Sequence, residues 1–310
     1  SDTTEASGLK LEETLILHWL NMAFLIGGAN SAADTAYSID NSIRLNLPDE
    51  HVISNDPGGG SGSDGSRTVW TFSCWFKRSR ISDQQYLASA ATDGNNYGTI
   101  KIGSNDSFYV NLINSGSDQD EIVTNAVFRD MSAWYHVVVA VDKTEAALGD
   151  GIKIYINGVR TTSFGTSTYA QNEGYHFSRP GKTTYIGVTG GDNDWWDGYM
   201  AEVHFVDGTQ KAHTDFGEFD EDSGIWKPKK YSGAYGTYGY FLEFKGTGTS
   251  EDSSGIGADT SGNDEHFAVS NLAAADQCTD TPTNNFCTWN PLAQSSYMTL
   301  SEGNCATLGN

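Results

Sequence analysis

Apolar and polar residues alternate with a period of two through three runs of residues 134–208. In WYHVVVAVDK, His136, Val138, Ala140 and Asp142 fall on one face, and Tyr135, Val137, Val139 and Val141 on the other. In GIKIYINGV, Ile152, Ile154 and Ile156 share a face. Asn157-Gly158 supplies the two residue types that tolerate positive φ in a type I′ hairpin turn. In DGYMAEVHFVDG, Gly198, Met200, Glu202 and His204 alternate with Tyr199, Ala201, Val203 and Phe205. The same pattern predicts strands at about 42–47, 68–78, 84–90, 97–102, 107–113, 134–142, 151–156, 159–163, 182–188 and 197–207. Trp70, Phe72, Trp134, Ile154, Ile156, Ile186, Met200 and Val203 are the expected core positions. Regular strands separated by turn signals predict an all-β sandwich of two antiparallel sheets.

The rhythm breaks elsewhere. Residues 54–66 (SNDPGGGSGSDGS) are too rich in Gly and Ser to predict structure and are expected to be mobile. Residues 209–235 are irregular, YGYFLEF (238–244) returns to strand composition, and 245–285 reads as a polar connector. The chain thus divides into an N-terminal arm (1–35), a sandwich (36–208) and an extended connector with a few short strands (209–310). Within the arm, Leu11, Leu15, Trp19, Met22 and Ile26 lie at helical spacing, predicting a short amphipathic helix over 9–26. So apolar a stripe must be buried, either on its own sandwich or on another subunit. The segment is no secretory signal, because Glu5, Glu12 and Glu13 precede it with only Lys10 as a basic residue. No apolar run reaches the roughly 18–20 residues that cross a bilayer as a helix.

Composition sharpens the picture. The 310 residues include 35 Gly, 15 Tyr, 14 Phe and 8 Trp, and the formal charge is −22. Phosphate binding needs cations that release counterions, so this acidity argues against nucleic acid as a partner. It argues equally against an anionic membrane surface.

Candidate chemistry concentrates in GGDNDWWDG (190–198). Asp192, Asn193, Asp194 and Asp197 offer the hard oxygen ligands that calcium takes, and are equally the ordinary residues of a turn. Alternation sends one of Trp195 and Trp196 to the core and the other to solvent, where an indole can stack on a sugar ring. EFDED (218–222) places Glu218, Asp220 and Asp222 two apart, as in paired-carboxylate glycosidases. Its glycine flanks and its place after the last long strand make it a solvated turn. The seven histidines are dispersed, with His136 and His204 on strands as core-edge residues. No catalytic residue is assigned.

The order WYHVVVAVD, IYINGV, DGYMAEVHFVDG resembles the laminin-G-like, concanavalin-A-like lectin sandwich, a jelly roll. AYSIDNSIRLNL (36–47), RTVWTFSCWFKRS (67–79) and DTSGNDEHFAVSNLAAADQCTDTPTNNF (259–286) resemble the version found in tailed-phage virion proteins. That resemblance implies a rim site for calcium and host-glycan attachment through Trp195 or Trp196. It implies a place on the virion surface, as tail fibre, appendage or capsid decoration, among other virion subunits and as a homo-oligomer. Similar connectors carry small apolar residues where this chain has Cys278 and Cys287. Their joint departure suggests a Cys278–Cys287 disulfide, the alternative being two small buried hydrophobes. A subunit-cementing module without ligand is the competing function, and a glycoside hydrolase a distant one.

Overall fold

The computed structural model describes residues 37–46, 52–60, 62–116, 118–174, 177, 179–190, 194–290, 297–301 and 303–309. Almost all of these belong to one compact unit, Ser38–Asn310. The stripe Leu11, Leu15, Trp19, Met22 and Ile26 lies outside the described residues.

Two antiparallel sheets face each other. The first runs β10 (Val159–Thr161), β9 (Ile152–Ile156), β8 (Tyr135–Asp142), β3 (Val69–Arg78), β13 (Gly198–Asp207), β1 (Ser42–Leu45), β18 (Gln277–Cys278), with β16 (Tyr240–Leu242) beside the far half of β13. The second runs β11 (Phe164–Ser167), β7 (Asp118–Val127), β6 (Ser107–Asn114), β5 (Asn96–Ile102), β4 (Gln85–Asp93), β12 (Thr184–Ile186), β2 (Val52–Asn55), β17 (Ala268–Ser270). Two separate hairpins complete the strands, β14 (Gly217–Phe219) with β15 (Trp226–Pro228) and β19 (Met298–Ser301) with β20 (Ala306–Gly309). Among the described residues the α-helix is a single turn, Leu148–Gly151. β2 ends inside the stretch expected to lack structure, and Pro57–Gly60 there forms a 3-10 turn. The segment expected as connector contributes β16, β17 and β18 to the two sheets.

The alternation in sequence explains the core. Trp70, Phe72, Cys74 and Phe76 of β3, with Val137, Val139 and Val141 of β8 and Ile152 and Ile154 of β9, pack on Leu87, Ile100, Ile102, Phe108, Val110, Leu112, Ile122 and Ile186 of the second sheet. Each such side chain contributes about 1.5–3 kcal/mol on burial. Ile156 is only half-buried, and Trp134 is buried with its Nε1 donating to Asp280 Oδ1 at 2.9 Å. Asn157 (φ 46°) and Gly158 (φ 75°) make the expected tight turn.

Strict alternation fails in β4, where Leu87 and Ala88 both enter the core, and in β13. In β13 the break is a bulge. Ala201 faces Trp75 and His204 faces Ser73, so Glu202 and Val203 together oppose Cys74. This β-bulge puts Glu202 at φ 46° and lets Met200 and Val203, three apart, both enter the core. A period of two could not predict that.

The outer face of the first sheet is also covered. Val138, Ala140 and Val206 pack against Phe216, Tyr231 and Tyr235 from residues 209–235. His136 stacks between Trp75 (4.5 Å) and Trp226 (5.9 Å). Its Nδ1 accepts the Trp226 Nε1 proton at 3.0 Å, which leaves Nε2–H to donate to Ser73 Oγ at 2.9 Å. The imidazole is therefore neutral, and burial pushes its pKa down to about 3.

Among the described residues three cations are wholly buried, and each meets a carboxylate from a distant segment. Arg78 Nη1 is 2.9 Å from Asp106 Oδ1, Lys77 Nζ 2.9 Å from Asp280 Oδ2, and Lys143 Nζ 2.5 Å from Asp120 Oδ2. Lys143 also lies 3.5 Å over the Tyr169 ring.

The expected Cys278–Cys287 disulfide is not formed; all four cysteines are free. Cys278 is held in β18 opposite Ser42, while Asp280 is drawn to Lys77 and Thr281–Asn284 closes a turn. Cys287 emerges exposed beyond that turn, its Sγ facing Thr288 O.

Two outcomes test these contacts. Asp120→Ala strands the Lys143 ammonium in the interior and should cost about 3–5 kcal/mol. The melting temperature should then fall by roughly 10 °C, and the apolar pair Asp120→Leu/Lys143→Met should recover most of it. For His136, the unfolded chain takes up a proton near pH 6.5 that the folded chain refuses until about pH 3. Stability should therefore decline as pH falls through that window, by up to about 1.4 kcal/mol per unit. Denaturant titrations at pH 7, 5.5 and 4.5 should show this slope reduced by that component in His136→Asn.

Candidate functional site

With the first sheet covered, the outer face of the second sheet holds a groove. β5 reads NYGTIKI, and its alternation sends Ile100 and Ile102 to the core and Tyr97, Thr99 and Lys101 outward. Gly98 lies on the core side beneath Phe177, where a β-carbon would come within 2.7 Å of the ring. Directly opposed residues share a face. The register therefore lays Tyr185 (β12), Ser89 (β4), Thr99 (β5), Asn111 (β6) and Glu121 (β7) in one row across five strands. Tyr86, Lys101 and Tyr109 form a neighbouring row.

The groove encloses about 460 Å³, within the range of small-ligand sites. Tyr86, Tyr97 and Tyr185 wall it, Thr99 and Ser89 form its floor, Asp93 and Lys101 stand in its lining, and Thr189 and Gly190 close one rim. Lys101 Nζ donates to Gln84 Oε1 (2.9 Å) and Tyr86 OH (3.3 Å) and lies over the rings of Tyr86 (5.0 Å) and Tyr109 (5.6 Å). Burial lowers its pKa, against the pull of Asp194 and Glu121. Burial likewise raises the Tyr86 and Tyr97 phenols, so both stay protonated donors. Asp93 Oδ1 accepts from Asn95 N and Asn96 Nδ2 and shapes the β4–β5 turn. Two buried polar atoms in the central row have no hydrogen-bond partner among the described residues, Thr99 Oγ1 and Asn111 Oδ1. Rings, hydroxyls and one ammonium give the groove both apolar and hydrogen-bonding surface.

The loop 190–198 adjoins the groove, but its residues separate. Trp196 is fully buried, edge-on to Phe76 at 5.4 Å, so it cannot stack on a sugar as expected. The reason is its register: Trp196 N bonds Gly187 O and turns the indole between the sheets. Trp195 is half-buried and bridges to Val188. Asp192 and Asn193 lie outside the described residues. Asp194 Oδ2 accepts from Gln84 Nε2 at 2.9 Å, which links the loop to Lys101. Asp197 lies near Arg80 and Asp83, its pKa pushed up to about 6 by burial. Asp194 and Asp197 thus turn to different neighbours, and no cluster of three or more acidic, His or Cys ligands occurs among the described residues. Calcium takes about 6–8 oxygens, more than these two side chains supply.

The other acidic motif is a turn. Asp220 Oδ1 accepts from Asp222 N, Ser223 N and Ser223 Oγ. Those bonds and Lys227 hold its pKa down to about 2. Glu218 is paired with Lys227 on a two-stranded hairpin, unlike a carboxylate pair on a sheet face.

The tyrosine groove is not among the sites expected from sequence, although the outward Tyr97–Thr99–Lys101 alternation is visible there. Its other members come from β4, the hairpin partner of β5, and from β12, which only the sheet order brings alongside.

The profile of the concanavalin A-like lectin/glucanases superfamily matches residues 58–213. No curated protein matches the chain. Among solved structures it is similar to a heptameric SAP-like pentraxin from Limulus polyphemus, with 17% identity, 58% of this chain and 82% of that chain covered, and a TM-score of 0.41. It is also similar to the CBM40 of Ruminococcus gnavus IT-sialidase (13%, 57% and 96%, 0.39) and to mouse laminin alpha1 domains LG4-5 (12%, 64% and 47%, 0.39). The chain thus spans about half the length of the laminin fragment. The matched stretch covers half of the chain and carries every strand of the groove, and the protein belongs to the concanavalin A-like lectin/glucanases superfamily.

Proposed function

We propose that this protein is a non-enzymatic, lectin-like binding module that attaches to surface glycans through the tyrosine groove. The observation that carries the reading is the groove itself: three tyrosines around a hydroxyl-lined floor, on the sheet face that lacks a second aromatic layer among the described residues. Sugar rings present apolar faces to aromatic side chains and hydroxyls to polar ones, so this lining suits them. Trp195, half-buried in the adjoining loop, is a further candidate contact. The resemblance of residues 36–47, 67–79 and 259–286 to tailed-phage virion proteins supports a place on a virion surface, as tail fibre, appendage or decoration.

A second reading, a module that cements neighbouring subunits into a homo-oligomer or virion lattice, is favoured by a different observation. Val159, Phe219 and Ile225 are exposed; the Trp226 ring packs on Phe219 and Gly158, and Val159 and Ile225 are the chain neighbours of Gly158 and Trp226.

Glycan-array and calorimetric binding separate the two. Tyr97→Ala and Tyr185→Ala should each weaken glycan binding about tenfold or more, a loss of about 1.4 kcal/mol or above. Their melting temperatures should stay close to wild type. Unchanged binding in both variants would remove the groove from the function. Dissociation of an oligomer by Ile225→Asp, read by sedimentation, would favour the cementing reading.

A further inference from the structure

Beyond the existence of a glycan site, the charges and orphaned polar atoms around the groove specify what kind of glycan it takes. This step rests on the reading of the groove as a glycan site. Among the described residues Lys101 is the sole cation in the lining, and it is already engaged by Gln84 Oε1, Tyr86 OH and the faces of two tyrosines. An incoming carboxylate would have to displace those contacts. Carboxylates also ring the site: Asp93 in its lining, Glu121 at the end of the central row, and Asp194 joined to Lys101 through Gln84. An anionic sugar would meet three like charges for one occupied cation, on a chain of net charge −22.

The floor offers a partner for a sugar hydroxyl. Thr99 is 7% exposed, and its Oγ1 has no hydrogen-bond partner among the described residues; Asn111 Oδ1, on the residue directly across on β6, has none either. Buried polar atoms in this state are destabilising until something bonds them. A sugar hydroxyl, both donor and acceptor, can satisfy the Thr99 hydroxyl in either role.

We propose that the groove selects neutral, hydroxyl-rich glycans over sialylated or uronic-acid-containing ones, with Thr99 reading a sugar hydroxyl at the floor and Lys101 acting as an internal strut for Tyr86 and Tyr109.

The test uses the full chain and matched oligosaccharides with and without a terminal sialic or uronic acid, measured by ligand-observed NMR and calorimetry in 50 and 500 mM NaCl. Neutral glycans should bind with affinity nearly independent of salt. Their acidic counterparts should bind at least tenfold more weakly at 50 mM, with the gap narrowing at 500 mM. Thr99→Val should lower neutral-glycan affinity about fivefold or more while leaving the melting temperature equal or higher, since it deletes a buried unsatisfied hydroxyl. Acidic glycans binding as well as neutral ones would overturn the selectivity and leave the groove as a glycan site. Thr99→Val with unchanged affinity would overturn the role of the floor. Failure of every neutral and acidic glycan to bind the wild-type chain would overturn the glycan reading beneath both.

Discussion

A buried cation must find a carboxylate, and this requirement organises the sandwich. Lys77 and Arg78 are consecutive at the end of β3, so the strand period sends them to opposite faces. Arg78 turns toward the second sheet and meets Asp106 in the β5–β6 turn, with Gln85 and the Phe128 carbonyl as further acceptors for its Nε and Nη1. Lys77 turns outward and gathers Asp280, Asn285 and the Phe286 carbonyl, fastening residues 280–286 to the first sheet. Lys143, just past β8, reaches Asp120 on β7 and so joins the two sheets at another point. Only 18 of the 310 residues are Lys or Arg, which makes the commitment of three of them to the interior more telling. Such pairs add little net stability over an apolar core, but an unpaired partner is heavily penalised. Arrangements of the strands that separate these partners are thereby disfavoured.

The two outer faces have opposite fates. Residues 209–235 lay Phe216, Trp226, Tyr231 and Tyr235 over the first sheet, and His136 is locked there as a neutral acceptor and donor. The second sheet keeps its tyrosines and hydroxyls around an open groove. The asymmetry assigns structure to one face and leaves the other open.

The long strands are legible in the sequence because their period is unbroken: β3, β8 and β9 bury the faces that their alternation marks. β7 is hidden because DQDEIVTNAV opens on charges, and only the folded chain shows that Asp120 belongs inside with Lys143. β16, β17 and β18 are too short to have a period, and the bulge at Glu202 adds a residue that breaks one. Alternation separates Trp195 from Trp196, but which of them turns inward depends on the Gly187 contact. Cys278 and Cys287 suggest pairing by their joint departure from similar connectors, whereas Asp280 and the turn after it set their positions. The groove is hidden for a similar reason: Tyr97 and Tyr185 are distant along the chain and meet through sheet order alone.

None of Tyr86, Tyr97, Thr99, Lys101 or Tyr185 belongs to the apolar cluster between the sheets. Their backbones are fixed by ladder bonds that are indifferent to what the outward side chains are. Surface chemistry and folding are thereby assigned to alternate residues of the same strands. A lineage carrying this scaffold can exchange its odd-numbered β5 positions, and with them the chemistry of the groove, while the even-numbered ones go on specifying the fold.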